Sequence, residues 1–146
     1  MADEQQDVLT VNIVTPDGVV YDHRAKLVVV RAVDGDLGIM ANHEPIVAPL
    51  QIGEVRVQRL DEPDHENRIA VNGGFMEVAD NVASIVADSA ERARDIDLSR
   101  AEAARERAEH KIETAKQTQN QDDLARAQVA LRRAINRINV KHDAQH

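Results

Sequence analysis

The sequence predicts an α+β protein with an N-terminal antiparallel β-sandwich or barrel followed by a C-terminal antiparallel two-helix hairpin. Short apolar runs separated by turn residues fill residues 8–87, a pattern typical of a sandwich or barrel. A helical repeat replaces this pattern after residue 90. The charge balance changes at the same place: residues 1–90 carry 6 Lys and Arg against 16 Asp and Glu, and residues 91–146 carry 12 against 10. We therefore predict two domains, residues 1–90 and residues 91–146, with different partners.

The β-domain is predicted to begin with a strand at residues 8–14, in which Leu9, Val11 and Ile13 alternate with polar side chains. Residues 15–18 (TPDG) are predicted to form a turn, because proline presets φ and glycine accepts positive φ. Further predicted strands and turns follow along the chain. The strands are residues 19–21, 26–33, 54–60, 68–71, 75–78 and 82–87, and the turns include Asp34–Gly35, Gly53 and Gly73–Gly74.

Two amphipathic helices are predicted at residues 97–117 and 123–141, with Asp97 as the N-cap of the first. The short polar break between them implies an antiparallel hairpin. Burial of an alanine stabilises the interface by only about 1 kcal/mol, so we expect the docking of this hairpin to be reversible. The predicted apolar stripes are Ala101, Ala104, Ala108, Ile112 and Ala115 on the first helix, and Leu124, Ala127, Leu131, Ile135 and Ile138 on the second.

Composition limits the core and the possible functions. Tyr21 and Phe75 are the only aromatic residues among 146, so the core must consist of Val, Ile, Leu and Ala, and a partner protein is expected to share the burial. The chain has no cysteine and its six histidines are scattered, which argues against thiol catalysis, disulfides and a metal enzyme. A net charge of −8 argues against nucleic-acid binding.

The N-terminal residues 1–7 are acidic and polar, without the apolar stretch of a secretory signal. No apolar run approaches the roughly 20 residues that a membrane span needs. We therefore expect a soluble, intracellular protein that can still dock on a membrane complex.

Three motifs stand out in the β-domain: residues 15–21 (TPDGVVY), 35–50 (GDLGIMANHEPIVAPL) and 71–78 (VNGGFMEV). Together they resemble the motifs of the epsilon subunits of bacterial F-type ATP synthases. The resemblance covers residues 8 to about 140, in the expected order and with the helical hairpin behind the motifs. His43, inside the second motif, is interpreted as a hydrogen-bonded loop histidine, since no nucleophile or acid pair accompanies it.

The resemblance implies a non-catalytic rotor subunit of the central stalk. The β-domain is expected to contact the gamma subunit and the c-ring, and to help couple proton-driven rotation to ATP synthesis. The hairpin is expected to be regulatory: permissive when docked on the β-domain, and inhibitory to ATP hydrolysis when extended toward the alpha and beta catalytic subunits. The implied location is peripheral, on the cytoplasmic side of the cell membrane.

A fourth motif resembles that of ATP-binding members of the same family. Residues 96–101 (IDLSRA) match its first half, and Arg133 and Arg137 correspond to the arginine pair of its second half. By this resemblance, Glu91 and Asp97 would meet the adenine or ribose end of ATP, and Arg100, Arg133 and Arg137 its phosphate end. Guanidinium groups suit phosphate oxygens because they present forked, permanently charged donors. No cofactor is required, and ATP is a candidate regulatory ligand.

Structural interpretations of the same residues stay open. Asp97 can act simply as an N-cap, and Arg100 can pair with Asp97 or with nearby glutamates. The arginine row on the second helix can be a solvated face or can contact acidic residues of the catalytic subunits. Two features depart from the family pattern: the link at residues 116–123 looks long, and the acidic loop at residues 61–66 is additional.

The alternative function is a free-standing ATP-binding sensor. A hydrolytic enzyme is disfavoured, because the sequence offers no P-loop, metal cluster or nucleophile–base pair.

Overall fold

The computed structural model describes residues 8–145 of the chain. Seven strands, a short 3-10 helix and two α-helices follow one another in sequence. None of the helices within the described range is long and apolar enough to cross a membrane. The elements are β1 (Leu9–Thr15), β2 (Gly18–Ala32), β3 (Gly35–Ile39), β4 (Ile46–Arg59), β5 (Glu66–Ala79), β6 (Val82–Ala87), β7 (Ala90–Arg92), the 3-10 helix (Ala93–Asp95), α1 (Leu98–Gln117) and α2 (Gln121–Ala144).

The strands form one sheet that closes on itself, because β1 pairs antiparallel with β2 on one side and parallel with β6 on the other. The path between these pairings runs β6, β5, β4, β2, and β3 extends it beyond β2. Register shifts at Ile13/Val14, Ala25/Leu27 and Val29/Ala32 interrupt the ladders. Such bulges bend strands, which lets the long β2 and β4 serve both layers. The predicted sandwich or barrel is confirmed, although the β1–β6 pair is parallel.

The core of this domain is aliphatic, as predicted. Leu9, Val11 and Ile13 alternate inward along β1 and are fully buried. Tyr21 and Met76 are also buried in the core, whereas Phe75 points outward and is 42% exposed. Burial raises the pKa of the Tyr21 phenol to about 12.

Several predicted turns lie inside strands. Gly53 pairs with Val71 in the middle of the β4–β5 ladder. A larger residue would not fit at this position, since a Cβ there would lie 2.8 Å from Arg31 Cβ. Gly73 and Gly74 have φ of 84° and 124°, but they bend β5 without ending it. Two pairs of predicted strands are single strands in the structure. Residues 19–21 and 26–33 both belong to β2, and residues 68–71 and 75–78 both belong to β5. Strands β3 and β7 were not predicted.

The helices begin and end close to the predicted positions. Asp97 is the N-cap of α1 and accepts a hydrogen bond from the Arg100 backbone N–H at 3.2 Å. The second helix begins at Gln121, with Asn120 as its N-cap, so only residues 118–120 link the helices. The predicted bounds of this link, residues 116–123, were too wide, because Gln121 and Asp122 belong to the first turn of α2.

The two helices meet along small residues. Ala101, Ala108 and Ala115 are buried on α1 at a spacing of seven, opposite Ala127 and Ala134 on α2. A seven-residue repeat of this kind is typical of a coiled-coil seam. Ile135 was predicted to lie on the buried stripe but is 39% exposed, because the seam passes through its neighbour Ala134.

The hairpin of α1 and α2 docks on the β-domain through the C-terminal half of α2. Val140 is fully buried in a small cluster with Ala70 of β5, Ala93 and Ile96. Two hydrogen bonds flank this cluster: Asn136 Nδ2 donates to the Gly53 carbonyl at 2.9 Å, and Lys141 Nζ donates to the Ala93 carbonyl at 3.0 Å.

We predict that Gly74→Ala is far more destabilising than Gly18→Ala. The two glycines have nearly the same φ, 123° at Gly18 and 124° at Gly74. A Cβ at Gly18 would meet nothing within 4 Å, whereas one at Gly74 would collide with the Val86 carbonyl oxygen and lie 2.8 Å from Ala87 Cα. Backbone strain alone costs about 1–3 kcal/mol, and the collision adds about 1–3 kcal/mol. Urea unfolding of both variants measures the difference, and equal losses of unfolding free energy would contradict the prediction.

Candidate functional site

A cleft of about 400 Å³ opens where the end of the β-domain meets both helices. This size falls within the range of small-molecule sites. Three segments contribute to it: the chain around β7, the first turns of α1, and one residue of α2. The cleft is lined by Ser89, Ala90, Glu91, Asp97, Arg100, Ala101, Ala104, Arg107 and Arg137.

The β-domain side of the cleft is held by Asn72, which is 2% exposed. Its backbone N–H donates to the Ser89 carbonyl at 2.9 Å, and its Nδ2 donates to Ser89 Oγ at 2.7 Å. With Oγ engaged as an acceptor, the hydroxyl hydrogen of Ser89 is free to be donated elsewhere. Asn72 therefore fixes Ser89 as a hydrogen-bond donor at the edge of the cleft.

The α1 side presents two arginines over small residues. Arg100 and Arg107 lie two turns apart and therefore on one helical face, with Ala101 and Ala104 leaving space beneath them. Asp97 uses its carboxylate on the Arg100 backbone N–H. Among residues 8–145, no carboxylate lies within 4.0 Å of either guanidinium. Both charges are thus available to a ligand, and the pairing of Arg100 with Asp97 or a nearby glutamate is not formed.

Arg137 closes the cleft from α2. Its Nε lies 3.4 Å from Glu91 Oε1, and the two side chains are 29% and 38% exposed. This ion pair joins the hairpin to β7. Because both groups are partly solvated, the pair on its own contributes only about 0–1 kcal/mol, so a ligand can displace it at low cost.

The electrostatics of the cleft favour an anion with a polar, uncharged end. Three guanidinium groups face two carboxylates there. The N-terminus of α1 adds the partial positive charge of a helix dipole. Glu91 and Asp97 accept hydrogen bonds from hydroxyl or amino groups, whereas Arg100, Arg107 and Arg137 donate to acidic oxygens.

The structure brings together four of the five site residues proposed from sequence: Glu91, Asp97, Arg100 and Arg137 all line the cleft. Arg133 is exposed, one turn before Arg137, and is outside this lining as formed by the described residues; its role stays a prediction.

Sequence reasoning missed Arg107 and Ser89. Arg107 lies seven residues after Arg100, so the same helical face was readable from spacing alone. Ser89 depends on pairing between β5 and the segment before β7, which no local pattern reveals.

A second surface feature is an apolar strip on the outer face of the sheet. Phe75 pairs with Pro49 on β4 and with Val86 on β6, so these side chains share a face. Val47, two residues before Pro49, extends the strip and is 66% exposed. We name these four residues, Val47, Pro49, Phe75 and Val86, the apolar strip.

Comparison with known families matches both parts of the chain. Residues 8–93 match the family "ATP synthase, Delta/Epsilon chain, beta-sandwich domain". Residues 94–142 match the family "ATP synthase, Delta/Epsilon chain, long alpha-helix domain".

Similar proteins carry the corresponding name. The chain is 74% identical over 138 residues to the ATP synthase epsilon chain of Lacticaseibacillus casei, covering 94% of this chain and 96% of that one. It is 65% identical over 145 residues to the ATP synthase epsilon chain of Latilactobacillus sakei, covering 99% and 100%.

Solved structures share the fold at low sequence identity. A chain of the Euglena gracilis mitochondrial ATP synthase (OSCP/F1/c-ring, rotational state 1) superposes with a TM-score of 0.74 at 21% identity, covering 96% of this chain and 82% of that one. A chain of the Tetrahymena thermophila mitochondrial ATP synthase central stalk and c-ring gives 0.51 at 16% identity, covering 60% and 68%. Given the family matches and the close bacterial relatives, the chain belongs to the epsilon subunits of bacterial F-type ATP synthases, which are non-catalytic subunits of the complex.

Proposed function

We propose that this subunit couples rotation of the c-ring to ATP synthesis through its β-domain, restrains ATP hydrolysis through its hairpin, and binds ATP in the cleft between them. In this role it lies peripherally on the cytoplasmic side of the cell membrane, held by the gamma subunit and the c-ring. The observation that carries the nucleotide proposal is the convergence of Arg100, Arg107 and Arg137 from two helices on one cleft.

The cleft is polarised in the way that a nucleotide requires. Glu91 and Asp97 are acceptors for ribose hydroxyls or for the adenine amino group. Arg107 and Arg137 supply forked donors for phosphate oxygens. Ser89, oriented by Asn72, adds a donor for a ring nitrogen or a ribose oxygen beside Glu91.

ATP bound in this way would favour the docked hairpin. Ser89 and Glu91 belong to the β-domain side, whereas Arg100 and Arg107 move with α1 and Arg137 moves with α2. A ligand that contacts both sides stabilises only the docked state, by RT ln(1 + [L]/Kd). The proposed role is therefore a sensor: with abundant ATP the hairpin stays docked, and when ATP is scarce the hairpin is released toward the alpha and beta subunits and hydrolysis is restrained.

We predict that Arg100→Ala and Arg107→Ala each weaken ATP binding about tenfold or more, since a lost hydrogen bond to a charged group costs about 1.5–3 kcal/mol. Isothermal titration calorimetry on the isolated chain measures this, because the cleft is complete within one chain. Arg126→Ala is the matched control, as Arg126 is on α2 with its side chain 80% exposed and paired with Asp123; its affinity should equal that of the parent.

Binding that is unchanged in both variants would eliminate the cleft as the site. The Arg133→Ala variant tests whether Arg133 contacts ATP. A loss of ATP affinity equal to that of Arg137→Ala would mean that Arg133 turns into the cleft when ATP binds.

We predict that removing residues 94–146 raises ATP hydrolysis by the assembled complex several-fold, because the restraining hairpin is lost. The truncation keeps β7, which pairs with β5 through Ile69, Ala70 and Val71, so the β-domain retains its sheet. Steady-state hydrolysis by complexes reconstituted with the full or truncated chain provides the measurement. A rate no higher than that of the full complex would refute the inhibitory role and leave the coupling role standing.

We predict that Phe75→Ser reduces association with the gamma subunit about tenfold or more, because the apolar strip is an exposed patch that a partner would cover. Leu60→Ser is the control, since Leu60 is 44% exposed, as Phe75 is at 42%, but follows the last residue of β4, at the end of the strand away from Val47 and Pro49. Binding of the two variants to purified gamma subunit is compared by surface plasmon resonance. Equal affinities would show that gamma contacts another face.

A further inference from the structure

The C-terminal end of α2 lies over a second charged cleft, at the other edge of the docking interface from the nucleotide cleft. This second cleft has a volume of about 270 Å³. Charged groups reach it or its rim from every element packed there: Arg31 of β2, Asp36 of β3, Glu54 and Arg56 of β4, Glu66 and Arg68 of β5, and Asp143 of α2.

The guanidinium group of Arg68 lies close to three carboxylates in this second cleft. Arg68 makes a close, hydrogen-bonded ion pair with Glu54. Its Nη2 lies 2.9 Å from Glu66 Oε1, and its Nη1 lies 3.9 Å from Asp143 Oδ2. The charge of Arg68 is thus shared between two carboxylates of the β-domain and one that α2 brings when it docks.

The other cations of this cleft are placed differently. Arg31 Nε pairs with Asp36 at 3.4 Å, so its charge is directed toward the β3 side. Arg56 lines the cleft from the same strand as Glu54. On α2, Lys141 directs its amine to the Ala93 carbonyl, on the other side of the helix end. Glu54 and Asp143 both meet the same nitrogen, Arg68 Nη1, and among residues 8–145 no other cation lies within 4.0 Å of either carboxylate. Docking therefore places two carboxylates against one guanidinium nitrogen.

The side chain of Glu54 is only 16% exposed. Burial raises the pKa of its carboxyl group, and the hydrogen bond to Asp143 raises the pKa further, while Arg68 opposes both effects. Two carboxyl groups hydrogen-bond to each other only when one of them carries a proton. The contact with Asp143 exists only while α2 is docked, so the docked state holds this proton more tightly than the released state.

We propose that Glu54 and Asp143 form a proton-dependent latch that fastens the end of α2 to the β-domain, so that acidification stabilises the docked hairpin. The direction follows from linkage: a carboxyl group whose pKa is raised in one state favours that state at low pH. The stabilisation is present when the pair is protonated and is lost as the pH rises through the raised pKa of Glu54. The latch requires no nucleotide, so it stands or fails independently of the proposed ATP binding.

A single buried thiol tests the latch in the full chain without nucleotide. The chain has no cysteine, and Val140 is fully buried in the docking cluster, so in a Val140→Cys background the thiol reacts with a disulfide reagent only after α2 is released. Dividing the labelling rate by that of a free cysteine peptide at the same pH gives the fraction of released chains. We expect this fraction to fall as the pH is lowered toward the ordinary carboxyl range, and to be about twofold smaller at pH 4.5 than at pH 7.

Two variants separate the effect of the carboxyl pair from that of the other ionisable groups at this end of α2. Glu54→Gln keeps a donor for Asp143 and an acceptor for Arg68, so it should hold the released fraction low at both pH values and flatten the pH dependence. Asp143→Asn should flatten it as well. Asp36→Asn is the control, because Asp36 lines the same cleft but pairs with Arg31; it should keep the pH dependence of the background.

The proposal is overturned if the pH dependence persists unchanged in both Glu54→Gln and Asp143→Asn, if it is absent in the background chain, or if acid increases release. Each of these outcomes is readable without ATP, and calorimetry with ATP remains a separate measurement of the nucleotide cleft.

Discussion

The docking of α2 across three neighbouring strands is the constraint on which the functional surfaces depend. Glu54 of β4 pairs across the sheet with Ala70 of β5, and Ala70 pairs with Glu91 of β7. The helix matches this row: Arg137 meets Glu91, Val140 packs with Ala70, and Asp143 meets the Glu54–Arg68 pair. These helix residues are three apart, a rise of about 4.5 Å, which is close to the strand spacing of about 4.8 Å. Each advance of three residues along α2 therefore carries the helix from one strand to the next.

Ala70 controls how closely the helix approaches. It is fully buried under Val140, and a larger side chain there would lift α2 and separate the charged contacts at both ends. The apolar contact is small, so the docked state relies on the polar contacts around it: the Asn136 bond to the Gly53 carbonyl and the Lys141 bond to the Ala93 carbonyl. Contacts of this size, each worth about 0.5–1.5 kcal/mol, suit a hairpin that has to be released and not one that is held permanently.

Local chemistry was readable from the sequence, and long-range register was not. The Asp97 cap, the buried alanines of α1 and the alternation in β1 are set by neighbours in the chain, and all were predicted. Gly73 and Gly74 were interpreted as a turn or a bulge that separates two strands, because positive φ serves a turn and a bent strand equally. Gly53 was misread because its reason is the side chain of Arg31 on another strand. The prediction that Ile135 is buried was wrong because the two helices approach each other closely, and the small side chain of Ala134 fits between them. The alignment of Glu54, Ala70 and Glu91 depends on the pairing of three strands. The residue pattern within any one strand does not predict that pairing.

The row also explains why the two proposed ligands would act together. Nucleotide binding is proposed at the Glu91 end and proton binding at the Glu54 end, and both require α2 to lie in the same register on the sheet. Each ligand would then favour the docked state, and by reciprocity each would raise the apparent affinity for the other without any contact between them. The coupling is limited by the fraction of chains that are released before either ligand binds, because a hairpin that is already docked gains nothing further from the second ligand. A weakly docked hairpin is therefore the arrangement in which ATP and protons would influence each other most, and the small Val140–Ala70 contact provides it.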